Sequence, residues 1–147
     1  MRYYEDLVEG EEQRSQPRQV TAAEIVEFAR KYDPQYFHTD EEAARRSIFG
    51  GLVASGIFTM AVWRQLDHQM AGDIAWICGV AWDDVKFRTA LRAGDEVYAR
   101  AKCISKRLSN SHPERGVVIY DYLLVNQHND TVFSCRSTNL VERRGPR

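Results

Sequence analysis

One segment of this sequence is apolar around most of a helix's circumference, and it constrains the fold more than any other feature. The segment follows Ser55-Gly56, runs to about Met70, and carries apolar side chains at Ile57, Phe58, Met60, Ala61, Val62, Trp63, Leu66 and Met70. A helix that is apolar all round is normally buried in a core. The rest of the chain must therefore supply enough structure to enclose it.

Strand-forming segments follow this helix. They are rich in Val, Ile, Tyr and Phe, the residues that favour a pleated, half-buried surface. We predict strands over residues 74–82, 84–88, 96–109, 116–126 and 132–141. The turns between them are short, which favours antiparallel pairing. The predicted fold class is therefore α+β, with an antiparallel sheet curled around one long central helix.

The N-terminal third contains two further helix starts. Capping boxes mark them, at Thr21 to Glu24 and at Thr39 to Glu42. The first helix is predicted over residues 22–32, where Asp33-Pro34 stops it because the residue before proline resists the helical conformation. Residues 13–20 are predicted to form a short strand.

The composition fits one globular domain over residues 1–147. The chain is 44% hydrophobic and 28% charged, with a formal net charge of −1. A balance this even gives no reason to expect a nucleic-acid partner or binding to an anionic membrane. The longest apolar stretch, residues 52–63, is shorter than the roughly 18 residues that a membrane-spanning helix needs.

Cysteine usage and the first residues predict a cytoplasmic protein without a bound metal. Cys78, Cys103 and Cys135 are odd in number and lack the spacing of a zinc site or a disulfide framework. Reduced thiols are the simpler interpretation. The first six residues, MRYYED, lack the apolar core of a signal peptide.

An acid and an imidazole lie five residues apart in the connection after the first predicted helix, at Asp33 and His38. A loop can direct both side chains toward one point, where they form a couple able to move protons near neutral pH. The alternative is structural, with Asp33 ending the helix and His38 packing. The other histidines, His68, His112 and His128, fall at a helix end and in turns and are expected at the surface.

Glycines and small residues precede the apolar helix in the run FGGLVASG, residues 49–56. Backbone N–H groups at a helix start are free and lie at the positive end of the helix dipole. A glycine at Gly56 lets a ligand oxygen approach the backbone closely, which would suit an oxyanion formed on a thioester carbonyl. The alternative is tight packing of the helix start against the sheet.

Several ordered motifs together resemble a known family. They are Tyr3-Tyr4-Glu5-Asp6-Leu7, Val20-Thr21, the Asp33 to His38 loop, Asp40-Glu41-Glu42-Ala43, Phe49-Gly50-Gly51 and Ala54-Ser55-Gly56. In this order the chain resembles the MaoC-like dehydratases, relatives of the R-specific enoyl-CoA hydratases. The resemblance extends from Tyr3 to about Val141.

This resemblance implies a hot-dog fold and a hydratase or dehydratase acting on an enoyl thioester. It implies that Asp33 and His38 match the family's catalytic pair, and that the N–H of Gly56 helps to hold the thioester oxygen. Three departures are visible. Gln35-Tyr36 replaces the family's Asn-Pro, Ser55 stands where the R-specific hydratases often have His, and Arg64 aligns with their small hydroxyl residue.

The expected chemistry needs no metal and no redox cofactor, because coenzyme A is part of the substrate. Asp33 and His38 would hold one water between them, with Gly56, Ser55 and Gln35 as oxyanion or substrate contacts. If Asp33 were the acid, burial against Phe37 or Phe49 would have to raise its pKa. Either residue of the pair could be the acid.

Two other function classes stay open at this point. A hot-dog acyl-CoA thioesterase would use the same fold, but its carboxylate commonly lies on or just before the central helix. Here the helix acid is Asp67, far along the helix, whereas the Asp33/His38 pair precedes it. A non-catalytic acyl-thioester-binding subunit is the third class, and retention of both residues argues against it.

The sequence also gives expectations for the substrate and for the oligomeric state. Lys86, Arg88 and Arg92 cluster in one segment and could contact coenzyme A phosphates, although a solvated charged face is the alternative. The expected substrate is an acyl-CoA of fatty acid metabolism, and an acyl-carrier thioester is the alternative. Residues 74–81 are apolar and carry no charge, which predicts an edge strand that pairs with a second copy. The resemblance implies the same homodimer, or a higher even oligomer.

Overall fold

The computed structural model describes residues 1–145. Within these residues, four α-helices lie between the second and third strands: α1 (Ala22–Tyr32), α2 (Tyr36–Thr39), α3 (Glu41–Arg45) and α4 (Gly56–Ala71). The strands are β1 (Glu12–Arg14), β2 (Arg18–Gln19), β3 (Trp76–Phe87), β4 (Glu96–Leu108), β5 (Arg115–Val125) and β6 (Thr131–Glu142). They form one antiparallel sheet in the order β1-β4-β5-β6-β3, and β2 pairs with β4 as well.

The sheet packs around α4, and the core lies between them. Trp63 of α4 is fully buried, and its ring lies 5.0–5.2 Å from those of Trp82, Tyr122 and Phe133 on three different strands. Aromatic rings at these separations contribute beyond the area they bury. The predicted α+β hot-dog arrangement, a sheet around one central helix, is confirmed.

Two strand predictions were wrong in detail. Residues 74–82 and 84–88 were expected as separate strands, but β3 is continuous and contains register shifts against β6. One shift spans Asp84, whose φ of 53° accommodates a bulge. The strand expected over 13–20 is divided into β1 and β2 because Pro17 has no N–H to donate to a ladder.

The helix starts agree with the capping signals, with two refinements. Thr21 accepts a hydrogen bond from the N–H of Glu24, whose carboxylate accepts one from the N–H of Thr21. At the second start, Asp40 rather than Thr39 caps α3 by accepting from the N–H of Ala43. His38, expected in a loop, lies on the short helix α2.

One flank of the molecule is left uncovered, contrary to the expectation that α4 is buried all round. Ile57 and Ala61 of α4 are exposed on this side. Beside them, β3 pairs only with β6 and leaves its other edge free. Five large apolar side chains of β3 are exposed there: Ile77, Val80, Trp82, Val85 and Phe87. We call these seven residues the open flank.

Within residues 1–145, no helix combines the length and apolar character needed to cross a membrane.

Candidate active site

A cavity of about 660 Å³ lies where the connection after α1 meets the start of α4. Asp33 and His38 both line it, so the structure brings the predicted acid–base pair together. Apolar side chains supply much of the remaining wall, at Ile57, Met60, Phe87, Leu91 and Val132. A largely apolar cavity with a few convergent polar groups is the usual form of a small-molecule site.

Two side chains donate hydrogen bonds to the Asp33 carboxylate, and a third lies close to it. Its Oδ2 accepts a hydrogen bond from Ser55 Oγ at 2.7 Å, and its Oδ1 accepts one from Gln35 Nε2 at 3.1 Å. His38 Nε2 lies 3.7 Å from Oδ2. The pKa of Asp33 is lowered from its ordinary value, chiefly because Ser55 and then Gln35 donate to the charged form. This direction is the opposite of the raised pKa that an acid role for Asp33 would require.

His38 is held by the backbone on its other side. The imidazole is only 6% exposed, and its Nδ1 lies 2.6 Å from the carbonyl oxygen of Val53. Because a carbonyl can only accept, Nδ1 carries the hydrogen. In the neutral ring, Nε2 is then an acceptor that faces Asp33. The separation of 3.7 Å exceeds a direct hydrogen bond, and one water molecule can lie within hydrogen-bonding distance of both groups.

Gly56 is the first residue of α4 and lines the same cavity. Its N–H belongs to the first helical turn and has no intrahelical acceptor. A Cβ at this position would lie 3.0 Å from the ring of Phe87. A side chain here would need the Phe87 ring to move slightly, so packing favours glycine. Binding of a substrate oxygen by the Gly56 N–H stays a prediction.

Ser55 is the N-cap of α4 and is completely buried. Its Oγ accepts from the N–H of Ile57 while donating to Asp33. These contacts make it a positioning residue that joins the helix start to the carboxylate. A direct contact of Ser55 with substrate stays a prediction.

The three basic residues expected near coenzyme A phosphates differ in their surroundings. Arg88 lines the cavity. Arg92 donates through a guanidinium nitrogen to the carbonyl of Phe49 at 2.7 Å, which holds the loop before α4. Lys86 pairs with Asp84 at 3.1 Å and lies outside the cavity wall. Of the three, Arg88 has the best position for a ligand.

Comparison with known proteins assigns the family. The family model described as MaoC like domain matches residues 6–121. The chain belongs to the MaoC-like dehydratase family. Among solved structures, it is similar to the MaoC-like dehydratase from Rhodospirillum rubrum, with 34% identity, a TM-score of 0.92 and coverage of 99% of this chain and 100% of that one.

Two further proteins illustrate the spread of relatives. The uncharacterised protein YdeM of Bacillus subtilis (strain 168) is 29% identical over 91% of this chain and 94% of its own length. The R-hydratase PhaJ1 from Pseudomonas aeruginosa has a TM-score of 0.77 at 16% identity, over 97% of this chain and 86% of its own length. At 16% identity, the similarity to PhaJ1 shows a shared fold only.

The structure shows what two of the residues that depart from the family's motif do in this MaoC-like chain. Gln35 stands where the resemblance implied Asn, and its amide reaches the Asp33 carboxylate. Tyr36, in place of the expected Pro, begins α2, the helix that carries His38. The pair therefore keeps a fixed geometry without the proline.

Part of this site had no signal in the sequence. The Val53 carbonyl that orients His38 is a backbone group, which any residue type would supply. The apolar wall combines residues of α4 with residues at and after the end of β3 and with Val132 of β6. Alternation along the strands could have indicated which of these residues face inward, but not that they meet at one cavity. Among residues 1–145, no group of three or more His, Cys, Asp or Glu is arranged to bind a metal ion.

We expect Ser55→Ala to raise the pKa of Asp33, because it removes the largest cause of that group's lowered value. A lowered carboxyl pKa keeps the base ionised as the pH falls, so wild-type activity should persist below the ordinary carboxyl range. In Ser55→Ala the acid limb of kcat/KM should move to higher pH. The exposed turn residue Ser111 provides the control, and Ser111→Ala should leave the pH profile unchanged. An unshifted limb in Ser55→Ala would remove the positioning role.

Proposed function

We propose that this protein adds water to an enoyl thioester, or removes it in the reverse direction, with Asp33 and His38 as the acid–base pair. Family membership supports the hydratase or dehydratase class. The observation that carries the residue assignment is the approach of Asp33 Oδ2 and His38 Nε2 to 3.7 Å at one cavity. An acyl-CoA is the proposed substrate class.

In the proposed hydration step, one water lies between the two side chains. His38 Nε2 accepts one of its O–H groups and orients it, and the Asp33 carboxylate takes the other proton. The hydroxyl oxygen forms a bond to Cβ as the Cα–Cβ π electrons move toward the thioester carbonyl. Asp33, now protonated, delivers that proton to Cα on the same face. The water is consumed and the carboxylate is regenerated.

The developing enolate oxygen requires stabilisation, and the start of α4 is the proposed place. The first-turn N–H of Gly56 and the positive end of the helix dipole can bind the negative charge. The apolar wall around Met60 and Val132 excludes water and strengthens that interaction. No metal or redox cofactor takes part in this proposed step.

The direct test is an assay with crotonyl-CoA, following the loss of the conjugated absorbance as water adds. Hydration that depends on Asp33 and His38 is the expected result. A parallel assay for free coenzyme A thiol separates this reaction from thioester hydrolysis. Thiol release without loss of the double bond would establish a thioesterase instead, and binding with neither reaction would establish a non-catalytic subunit.

We also propose that the protein works as a two-fold homodimer formed through the open flank. The flank combines the unpaired edge of β3 with exposed apolar side chains such as Val80 and Trp82. Natural proteins normally cover such an edge, and a second copy does so by a self-complementary antiparallel pairing.

Coenzyme A recognition gives a separate prediction at Arg88. We expect Arg88→Glu to raise KM for crotonyl-CoA by roughly tenfold, because a cation beside the cavity is replaced by an anion that repels the substrate phosphates. The KM for crotonyl-pantetheine, which lacks the nucleotide, should change much less. Lys102→Glu, on the exposed face of β4, makes the same charge change away from the cavity. Equal effects of Arg88→Glu on both substrates would remove the phosphate contact.

A further inference from the structure

The loop between α3 and α4, residues 46–55, supplies a group that orients His38. The carbonyl oxygen of Val53 lies 2.6 Å from His38 Nδ1, and the N–H of Val53 donates to the carbonyl of Phe37 at 3.1 Å. Val53 is therefore bonded to two consecutive residues of α2. Because the bond to Nδ1 fixes the tautomer of the imidazole, the position of the α3–α4 loop determines which nitrogen of His38 faces Asp33.

Main-chain contacts from the segment between β3 and β4, residues 88–95, hold the end of this loop. The N–H of Ala54 donates to the carbonyl of Leu91 at 2.8 Å. Val53 and Arg92 also form an isolated antiparallel bridge. Leu91 is almost completely buried, so the end of the α3–α4 loop is anchored to the core through backbone groups.

The start of the same loop is held by a side chain, that of Arg92. Its Nη2 donates to the carbonyl of Phe49 at 2.7 Å. Within residues 1–145, the other hydrogen bonds of residues 49–51 are to Ser47, which belongs to the same loop. Gly50, next in the chain, has a φ of 66° and the wide conformational freedom of glycine. The Arg92 side chain is thus the hydrogen-bonding link from the β3–β4 segment to the start of the loop.

A buried carboxylate fixes the backbone from which the Arg92 side chain extends. Asp95 is 9% exposed. Its Oδ2 accepts a hydrogen bond from the N–H of Arg92 at 2.9 Å, and its Oδ1 accepts one from Gln127 Nε2 at 2.8 Å. The carbonyl of Asp95 accepts from the N–H of Val20 at 2.8 Å. The turn that carries Arg92 is therefore joined to the β5–β6 turn and to the chain just before α1.

Aromatic contacts give the start of the loop a second connection with His38. The Phe49 side chain lines the Asp33–His38 cavity. Its ring lies 5.2 Å from the ring of Phe37, and the Phe37 ring lies 4.6 Å from the imidazole of His38 in an edge-on arrangement. A displacement of Phe49 would thus reach His38 through these rings as well as through the Val53 carbonyl.

We propose that Arg92 is a positioning residue for His38. By holding the carbonyl of Phe49, it keeps the α3–α4 loop where the Val53 carbonyl and the aromatic rings fix the imidazole. The proposal rests on the proposed function for the reaction that His38 serves. It gives Arg92 a different role from the contact with coenzyme A phosphates that the sequence suggested, and the two roles predict different kinetics.

The kinetic test compares crotonyl-CoA with crotonyl-pantetheine, which lacks the nucleotide. Arg92→Met keeps the aliphatic length and removes every donor. We expect it to lower kcat roughly tenfold with both substrates and to leave KM nearly unchanged, the low end for losing a charged donor because the guanidinium is exposed. Arg92→Lys keeps the charge and one donor group and should recover part of kcat. A phosphate contact would instead raise KM for crotonyl-CoA alone.

The control is Arg107→Met. Arg107 is exposed on β4 and also donates to a backbone carbonyl, that of Leu108, at 3.3 Å. This variant loses the same charge and the same kind of bond away from the site, so both kinetic constants should stay at their wild-type values. Thermal melting checks that Arg92→Met remains folded, which we expect because its side chain is exposed.

Proton NMR tests the positioning of His38 without requiring catalysis. The Nδ1–H proton, bonded to the Val53 carbonyl, should give a downfield resonance that exchanges slowly with water and is absent from His38→Ala. In Arg92→Met we expect this proton to exchange roughly tenfold faster, because exchange follows local opening of the loop. Arg92→Lys should give an intermediate rate, and Arg107→Met should leave the rate unchanged.

Unchanged kcat in a folded Arg92→Met protein would overturn the proposal. A raised KM confined to crotonyl-CoA would overturn it too, in favour of the phosphate contact. If wild-type protein does not hydrate crotonyl-CoA but the His38 proton depends on Arg92, the proposed reaction fails and the positioning role stands. If crotonyl-CoA is hydrated and neither kcat nor the His38 proton responds to Arg92→Met, the reaction stands and this inference fails.

Discussion

Asp33→Asn and His38→Ala are each expected to lower kcat/KM for crotonyl-CoA by roughly 10²- to 10⁴-fold, the usual contribution of a general acid–base group. The Asp33 amide can no longer take a proton from water, although it keeps the size of the carboxylate and can still bind Ser55. Loss of the imidazole removes the acceptor 3.7 Å away that orients the same water. Because both groups serve one water, the double variant should lose much less than the product of the two single effects.

Two matched substitutions separate these effects from general damage. Asp73→Asn and His128→Ala change the same residue types at exposed positions and should keep wild-type activity. His38 is buried, so its variant should melt at a lower temperature while remaining folded at 25 °C. Near-complete activity in a folded Asp33→Asn or His38→Ala protein would show that another group performs the proton transfers.

Local signals in the sequence predicted the framework of this site well. The capping box at Thr21 and the stop at Asp33-Pro34 predicted the exact bounds of α1 because both act through backbone chemistry a few residues away. The apolar periodicity after Gly56 predicted the central helix for a similar reason. The roles proposed for Asp33 and His38 rest mainly on the resemblance to the family, since short motifs alone also match by chance.

Features that depend on distant contacts were not predictable in the same way. The course of β3 through Asp84 depends on its register against β6, so the sequence predicted two strands, 74–82 and 84–88, where the structure has one. The sequence suggested Phe37 and Phe49 as groups that could raise the pKa of Asp33 if it were the acid, whereas the hydrogen bond from Ser55, 22 residues away in the chain, is the largest cause of its lowered pKa. Asp67 gave no sign in the sequence that its side chain would be almost completely buried.

The open flank also combines distant residues, and it leads to the second large expected effect. Ile77→Lys and Val80→Lys should each convert the proposed dimer into a monomer. A lysine on this strand would have to be desolvated when the edges pair, and the two-fold axis would bring two such charges into one interface. Edge lysines are also a common means by which natural proteins prevent strand-to-strand association.

Monomers made in this way should be nearly inactive on crotonyl-CoA, because the proposed cleft is completed only by a second copy. Light scattering coupled to size exclusion measures the oligomeric state, and the crotonyl-CoA assay of the same fractions measures activity. Val8→Lys is the matched control, since Val8 is 60% exposed but lies outside the open flank, and it should leave the mass and activity unchanged. A wild-type protein that is a stable, active monomer would contradict the dimer itself. A dimer that survives both β3 substitutions would instead place the interface elsewhere.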